Sequence, residues 1–288
     1  MKILLTGGTG FVGSRLAQHF DDEGHEVLLV SRQPGADHDW SDASLSAGVQ
    51  ATDAIVHLAG AGIFDKRWST SYKRELLESR THTTRQLAKL AAKYGTGCFL
   101  SASAVGYYGS SEIEGIDESA PAAGDFLARL CDDWEAATEG AREAGIRTVR
   151  VRTGVVLGRG GGALSRMLTP FKLGLGGPLG SGRQWMSWIH LEDLCGIFLA
   201  LLSKDSCQGA FNGTAPHPAR MADFAKTLGR VLRRPAVLPT PGFAMKVLLG
   251  ESADVLLTGQ HVVPKRVLEE GFVFRFPELE PALRDLLG

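Results

Sequence analysis

TGGTGFVG, spanning Thr6 to Gly13, follows an apolar run from Met1 to Leu5 and opens an amphipathic segment that ends near Glu23. Strand, glycine turn, helix is the order that a dinucleotide pyrophosphate requires. Gly7 permits the tight turn, Gly10 lets the backbone approach the phosphates, and Gly13 lets helix and strand pack closely. Thr6, Phe11 and Val12 complete the loop, and the amides at the helix N-terminus face the negative charge. The plainer alternative is a glycine-rich turn with no ligand. A nucleoside-triphosphatase phosphate loop is excluded in this window, because no Lys-Ser/Thr pair follows.

The next strand bears on which dinucleotide is bound. HEVLLVSR, His25 to Arg32, has the continuous apolar run of a buried parallel strand. Its C-terminal end would carry Asp or Glu to bind the 2′-hydroxyl of NAD. Here it reads Ser31-Arg32-Gln33, while Asp21, Asp22 and Glu23 all precede the strand. A hydroxyl and a guanidinium suit a 2′-phosphate, so Ser31 and Arg32 favour NADP(H). The alternative is a solvated loop arginine.

Working outward, the 288 residues suffice for one large α/β domain, or for a domain with a smaller lobe. With 31 Lys+Arg against 32 Asp+Glu, the total charge implies no nucleic-acid or anionic-membrane surface. Cys98, Cys131, Cys195 and Cys207 show neither CxxC nor zinc spacing, so they read as cytosolic thiols and no metal is expected. The first residues already form the first strand, leaving no room for a signal peptide, and no apolar run reaches the ~20 residues of a membrane span. The expected location is therefore cytoplasmic.

Strand and helix patterns alternate through the first half. DAIVHLAG (Asp53 to Gly60) and GCFLSAS (Gly97 to Ser103) are strands separated by a helix from about Ser69 to Tyr94. A second helix, from about Asp125 to Ala144, leads into IRTVRVRTGVVLG (Ile146 to Gly158). The alternation predicts a doubly wound parallel (Rossmann) sheet with the ligand along the strand C-termini, over residues 1–158. After Gly158 a glycine-dense loop around one short helix runs to Gln184. MSWIHLEDLCGIFLALL (Met186 to Leu202) reads as a strand then a helix, and the chain is expected to rejoin the sheet near Gly209 to Asn212, within about 186–215. Residues 159–288 are expected to form a smaller, mainly helical substrate lobe, with a compact tail over 242–288.

Together these segments resemble the extended short-chain dehydrogenase/reductase superfamily. The resemblance is carried by TGGTGFVG, LAGAGI (Leu58 to Ile63), SASAVGYYG (Ser101 to Gly109), DESAP (Asp117 to Pro121) and WIHLEDL (Trp188 to Leu194). A narrower likeness, to the sub-group called NAD(P)-dependent epimerase family proteins, rests on four features. These are the helix from Arg67 to Thr83, RTGVVLGRGGGAL (Arg152 to Leu164), GLGGPLGSGRQ (Gly174 to Gln184), and the tail GQHVVPKRVLEEGFVFRFPEL (Gly259 to Leu279). That tail resembles a C-terminal domain of unknown function found in the sub-group.

The resemblance implies cofactor contacts at Leu58, Ala59, Gly60, Ser101 and Val155, and along the helix carrying Glu75 and Arg80, whose alternative is a pair of solvated charges. It implies substrate contacts at Arg183, Gln184, Trp185 and Trp188, whose alternative is loop packing. A small polar, sugar-like or carbonyl substrate suits that set.

One superfamily feature is missing. Members pair a serine with Tyr-x-x-x-Lys on the following helix, but no lysine occurs between Lys93 and Lys172. Phe126 or Leu127 takes the tyrosine slot, and Leu130 or Cys131 the lysine slot. Ser103 matches the serine position. The remaining proton-transfer candidates are Tyr108, then Tyr107, then His190, with Asp193 expected as a helix cap. Two functional classes follow: an NADP(H)-dependent epimerase or oxidoreductase, and an NADP(H)-binding sensor that has lost turnover. The helices near 69–94 and 125–144 match the pair through which extended members dimerise. The first is rich in charge, so a monomer and a homodimer are both compatible.

Overall fold

The computed structural model describes all 288 residues. Its centre is a six-stranded sheet, all parallel, in the order β2-β1-β3-β4-β5-β9. In chain order the first half is β1 (Lys2–Thr6), α1 (Phe11–Asp22), β2 (Glu26–Val30), α2 (Asp42–Gln50), β3 (Ala54–His57), α3 (Thr70–Tyr94), β4 (Cys98–Ala104), α4 (Phe126–Ala136), α5 (Glu139–Glu143) and β5 (Arg147–Thr153). The second half is β6 (Val155–Leu157), α6 (Gly162–Lys172), β7 (Trp185–Met186), β8 (Trp188–His190), α7 (Leu191–Ser203), β9 (Gly209–Gly213), β10 (Ala219–Arg220), α8 (Met221–Leu232), α9 (Gly242–Leu249), α10 (Asp254–Leu257), α11 (Lys265–Glu269) and α12 (Leu279–Leu287).

Successive side chains of the apolar strands point to opposite faces, and each face has its own helical cover. Ile3 and Leu5 of β1 join Leu16 and Phe20 of α1 and Phe198 of α7 on one side. Leu4 joins Leu45 of α2 and Leu87 of α3 on the other. A third cluster, with Leu164, Trp188, Phe224 and Leu283, sits under α6, α8 and α12. This is the doubly wound sheet with helical C-terminal segments that the sequence predicts, and β9 rejoins it beside β5.

The differences are local. The single strand expected through Gly158 breaks at Gly154, where β6 leaves the main sheet to pair with β8. A Cβ on Gly154 would lie 2.4 Å from the Ser187 carbonyl oxygen, so only glycine lets the two segments cross. The expected helix to Ala144 is two helices, parted at Ala137–Thr138. No helix is long and apolar enough to cross a membrane.

Candidate active site

The strand order reverses at β1, whose two neighbours are β2 and β3, so the sheet opens a crevice at their C-terminal ends. The glycine turn fills its floor. Gly7 has φ +73°, and a Cβ there would lie 2.9 Å from the Ala59 amide nitrogen; a Cβ on Gly13 would lie 2.1 Å from the Gly7 carbonyl oxygen. Gly10 is the N-cap of α1 and offers no side-chain acceptor, so the first helical amides keep their positive ends for a ligand.

The side chains of Thr6 and Phe11 have other duties. Thr6 is fully buried, with its hydroxyl 2.6 Å from Nδ1 of His57 and bonded by the Ala59 amide, which ties β1 to β3. The Phe11 ring fills the space above Gly158, Gly161 and Gly162. This explains why that loop carries glycines. Val12 is half-buried against the sheet.

Past β2, Arg32 is exposed and Ser31 is half-buried, its hydroxyl accepting the Gln33 amide. The carboxylates that follow are turned elsewhere. Asp37 accepts the Leu29 amide at 2.7 Å, and Asp39 accepts both the amide and the hydroxyl of Ser41. Leu58 and Ala59 are half-buried and Gly60 is exposed along the same crevice. Glu75 is an exposed helix charge paired with Lys66. Arg80 is not: it is buried, donates to the carbonyls of Leu76 and Ala61, and lies 5.1 Å from the Trp134 ring centroid. Burial pushes its pKa down, and its Nε has no partner. Gly60 leaves room for it, since a Cβ there would stand 3.2 Å from that side chain.

Three of the four candidate catalytic groups gather around a buried ion pair that their own spacing in the sequence does not announce. Glu135 of α4 and Arg152 of β5 form a buried two-point ion pair, Nε to Oε1 at 2.8 Å and one terminal nitrogen to Oε2 at 2.9 Å. Burial opposes the Arg152 charge, but its hydrogen bonds and attraction to Glu135 outweigh that and hold its pKa above the ordinary value. Ser103 donates to Glu135 at 2.7 Å. Tyr108 donates to Asn212 at 2.7 Å and accepts from Arg152 at 2.8 Å, and burial pushes its pKa up to about 12. Tyr107 is half-buried, with its ring centroid 3.5 Å from the Arg152 guanidinium carbon and its hydroxyl outside the network.

His190 is almost fully buried. It caps α7 by accepting the Glu192 amide and stacks on Phe276 at 4.0 Å; burial lowers its pKa. Asp193 is no cap: its two oxygens accept the amides of Arg275 and Phe276, pinning the tail to α7. The slot expected for Tyr-x-x-x-Lys is apolar. Phe126 packs edge-on against Trp68 at 5.1 Å, and Leu130 and Cys131 are buried with Tyr72 and Leu76. An ammonium reaches this place from another element, Lys73 of α3, 4.9 Å from the Phe126 ring centroid and paired with Glu251.

Among the remaining positions, Ser101 is buried in the middle of β4 and Val155 starts β6 beside Trp188. Arg183 is exposed. Gln184 is buried and donates to the carbonyls of Leu179 and Leu256, leaving its own oxygen without a partner. Trp185 lies between Arg220, 3.6 Å from its ring centroid, and His261 at 4.5 Å, with its indole nitrogen buried and unpartnered. Trp188 is fully buried in the core and donates to the His217 carbonyl, so loop packing is its role rather than substrate contact. The structure thus brings Ser103, Tyr107 and Tyr108 together, and sets His190 and Trp188 in packed interior positions.

A parallel sheet with its glycine turn at the switch point defines a dinucleotide-binding α/β protein. Residues 3–212 match the NAD dependent epimerase/dehydratase family, to which this chain belongs, and residues 240–286 match a domain of unknown function. The epimerase family protein SDR39U1 of Mus musculus is 45% identical over 295 residues, covering the whole of both chains. The crystal structure of human epimerase family protein SDR39U1 (isoform 2) with NADPH superposes with a TM-score of 0.94 at 42% identity, covering 99% of each chain. A nucleoside-diphosphate sugar epimerase from Corynebacterium glutamicum superposes at 0.82 with 31% identity, covering all of this chain and 58% of that one.

Proposed function

We propose that this chain binds NADP(H) in the crevice between β1 and β3. We further propose that it carries out an epimerase-like or reductive hydride transfer on a small polar carbonyl or sugar-like substrate. On this reading, residues 1–158 hold the cofactor and residues 159–288 the substrate. The observation that carries it is the end of β2: Arg32 stands exposed while Asp37 and Asp39 are engaged by backbone amides. A guanidinium there favours a 2′-phosphate, and no carboxylate is set to receive a 2′-hydroxyl. NADPH in the human relative supports the same reading.

The residues fit the group. The amides of Phe11, Val12 and Gly13 would face the pyrophosphate, and Leu58, Ala59 and Gly60 would flank the adenosine. When bound, the nicotinamide gives or takes the hydride. Proton transfer falls to Tyr107 rather than Tyr108, since the Tyr108 hydroxyl is committed to Asn212 and Arg152 and its pKa lies near 12. Ser103 already donates its proton to Glu135, so it positions the network instead of polarising a substrate oxygen. The test is NADPH oxidation across carbonyl compounds and sugar nucleotides. Tyr107→Phe should lower kcat by ~10²–10⁴ with NADPH affinity unchanged. Tyr108→Phe should instead lower stability. Equal losses of kcat in both would overturn the assignment.

A second reading, an NADP(H)-binding sensor without turnover, is favoured by the apolar slot around Phe126, Leu130 and Cys131. NADPH binding without oxidation of any tested compound selects it.

A further inference from the structure

We propose that one face of the C-terminal segments docks on an anionic lipid surface. Two segments build it. The stretch 174–180 runs beside 235–240: Leu238 donates its amide to Gly176, Thr240 to Pro178, and Gly180 to Thr240. Gly180 and Gly242 both abut Leu257, which places the start of α9 against the same pair of segments. Along this face Val237 of the connecting segment, with Phe243, Val247 and Leu248 of α9, is between 70% and 75% exposed. Leu173, Leu175 and Leu238 add 69%, 59% and 48%. Not one residue of α9 is buried, although GFAMKVLL is almost wholly apolar. Single exposed apolar side chains need no explanation, but seven of them on three adjoining segments do.

The charges choose the occupant. Segments 172–180 and 233–249 carry Lys172, Arg233, Arg234 and Lys246 and no carboxylate of their own, in a chain whose total charge is −1. Asp254 of α10 pairs with Lys246 at 3.0 Å, which leaves Lys172, Arg233 and Arg234 as cations without an ion-pair partner. The balanced total conceals this segregation. Arg233 sits in the left-handed region (φ 54°) at the end of α8, a place that suits glycine, and both it and Arg234 are exposed. A second copy docked across a two-fold axis would set this patch against itself, cation facing cation. Exposed apolar side chains on segments whose unpaired charges are cationic match instead the boundary between acyl chains and anionic headgroups.

The experiment is flotation of the full chain with vesicles of pure phosphatidylcholine and of equal parts phosphatidylcholine and phosphatidylglycerol, at low and high salt. Binding to the anionic vesicles alone, weakened by salt, is expected. Arg233→Ser with Arg234→Ser should weaken it by roughly fivefold for each cation removed. Phe243→Ser with Val247→Ser should abolish it, with circular dichroism unchanged because these side chains lie outside the core. The proposal is overturned if the wild type stays off anionic vesicles, or if both variants bind like the wild type. It is equally overturned if the face proves to hold a dimer, seen by sedimentation and dissolved by Phe243→Ser.

Discussion

Replacing Glu135 by Gln tests the buried network most directly. Both side chains of the Glu135–Arg152 pair are only 6% exposed, and the carboxylate takes three hydrogen bonds, two from Arg152 and one from Ser103. The amide keeps the shape but turns an NH₂ group towards N–H donors and leaves the guanidinium without a counter-charge. Breaking a buried pair on one side typically costs about 3–5 kcal/mol, because the remaining ion has lost its solvent and its partner together. A chain of this size has a urea slope near the top of the usual range, about 3 kcal/mol/M. The urea midpoint, followed by tryptophan fluorescence, should therefore fall by about 1–1.7 M. Glu135→Leu combined with Arg152→Met should recover most of that loss, since replacing both charges removes the desolvation penalty as well. A single-variant shift below about 0.3 M, under about 1 kcal/mol, would mean that water reaches the pair. The account of Ser103 and Tyr108 as positioned groups would then fall with it.

Arg32→Ala should weaken NADPH binding about tenfold or more and leave NADH unchanged, measured by calorimetry; equal losses for both cofactors would refute the 2′-phosphate contact. Gly13→Ala should abolish binding of either cofactor, because its Cβ would come 2.1 Å from the Gly7 carbonyl oxygen; retained affinity would show that the turn can yield. Burial, then the nearby Arg80 charge, lowers the His57 pKa to about 3. The unfolded chain therefore takes up a proton below about pH 6.5 that the folded chain refuses, and stability falls as pH drops from there towards about 3. Urea midpoints across that window should decline less steeply for His57→Gln than for the wild type; parallel slopes would contradict this.

Local chemistry was legible in the sequence wherever it also decides the fold. The glycine spacing of 6–13 and the unbroken apolar strands can be satisfied in few other ways, so the crevice follows from them. What remained hidden depends on neighbours distant in the chain. Glu135 reads as one more helix carboxylate until β5 brings Arg152 against it. A signal was present: VRVRT (Val149 to Thr153) puts two arginines in a strand that must be covered on both faces, and a covered arginine needs a partner. Arg80 and Glu75, equal on the helix by sequence, separate only when Trp134 and Gly60 enclose the first. The break at Gly154 could not be foreseen, because the atom that forbids a side chain there belongs to Ser187.

Glu118 has a consequence for how the protein is made. Its carboxylate receives the amides of Asn212 and Arg266, and the latter is 148 residues further along the chain. The Asn212 amide group in turn donates to the Val263 carbonyl, and Ile116 bridges to Val262. A ribosome adding ~5–20 residues per second leaves Glu118 waiting roughly 7–30 s for its last partner. Once Gly213 has been made, β9 can lie beside β5 while the 53 residues to Arg266 are added, roughly 3–11 s, but its far side is open. The nascent chain therefore carries an unprotected sheet edge until α11 arrives with Arg266, and this is the stage at which a chaperone would find the most to hold.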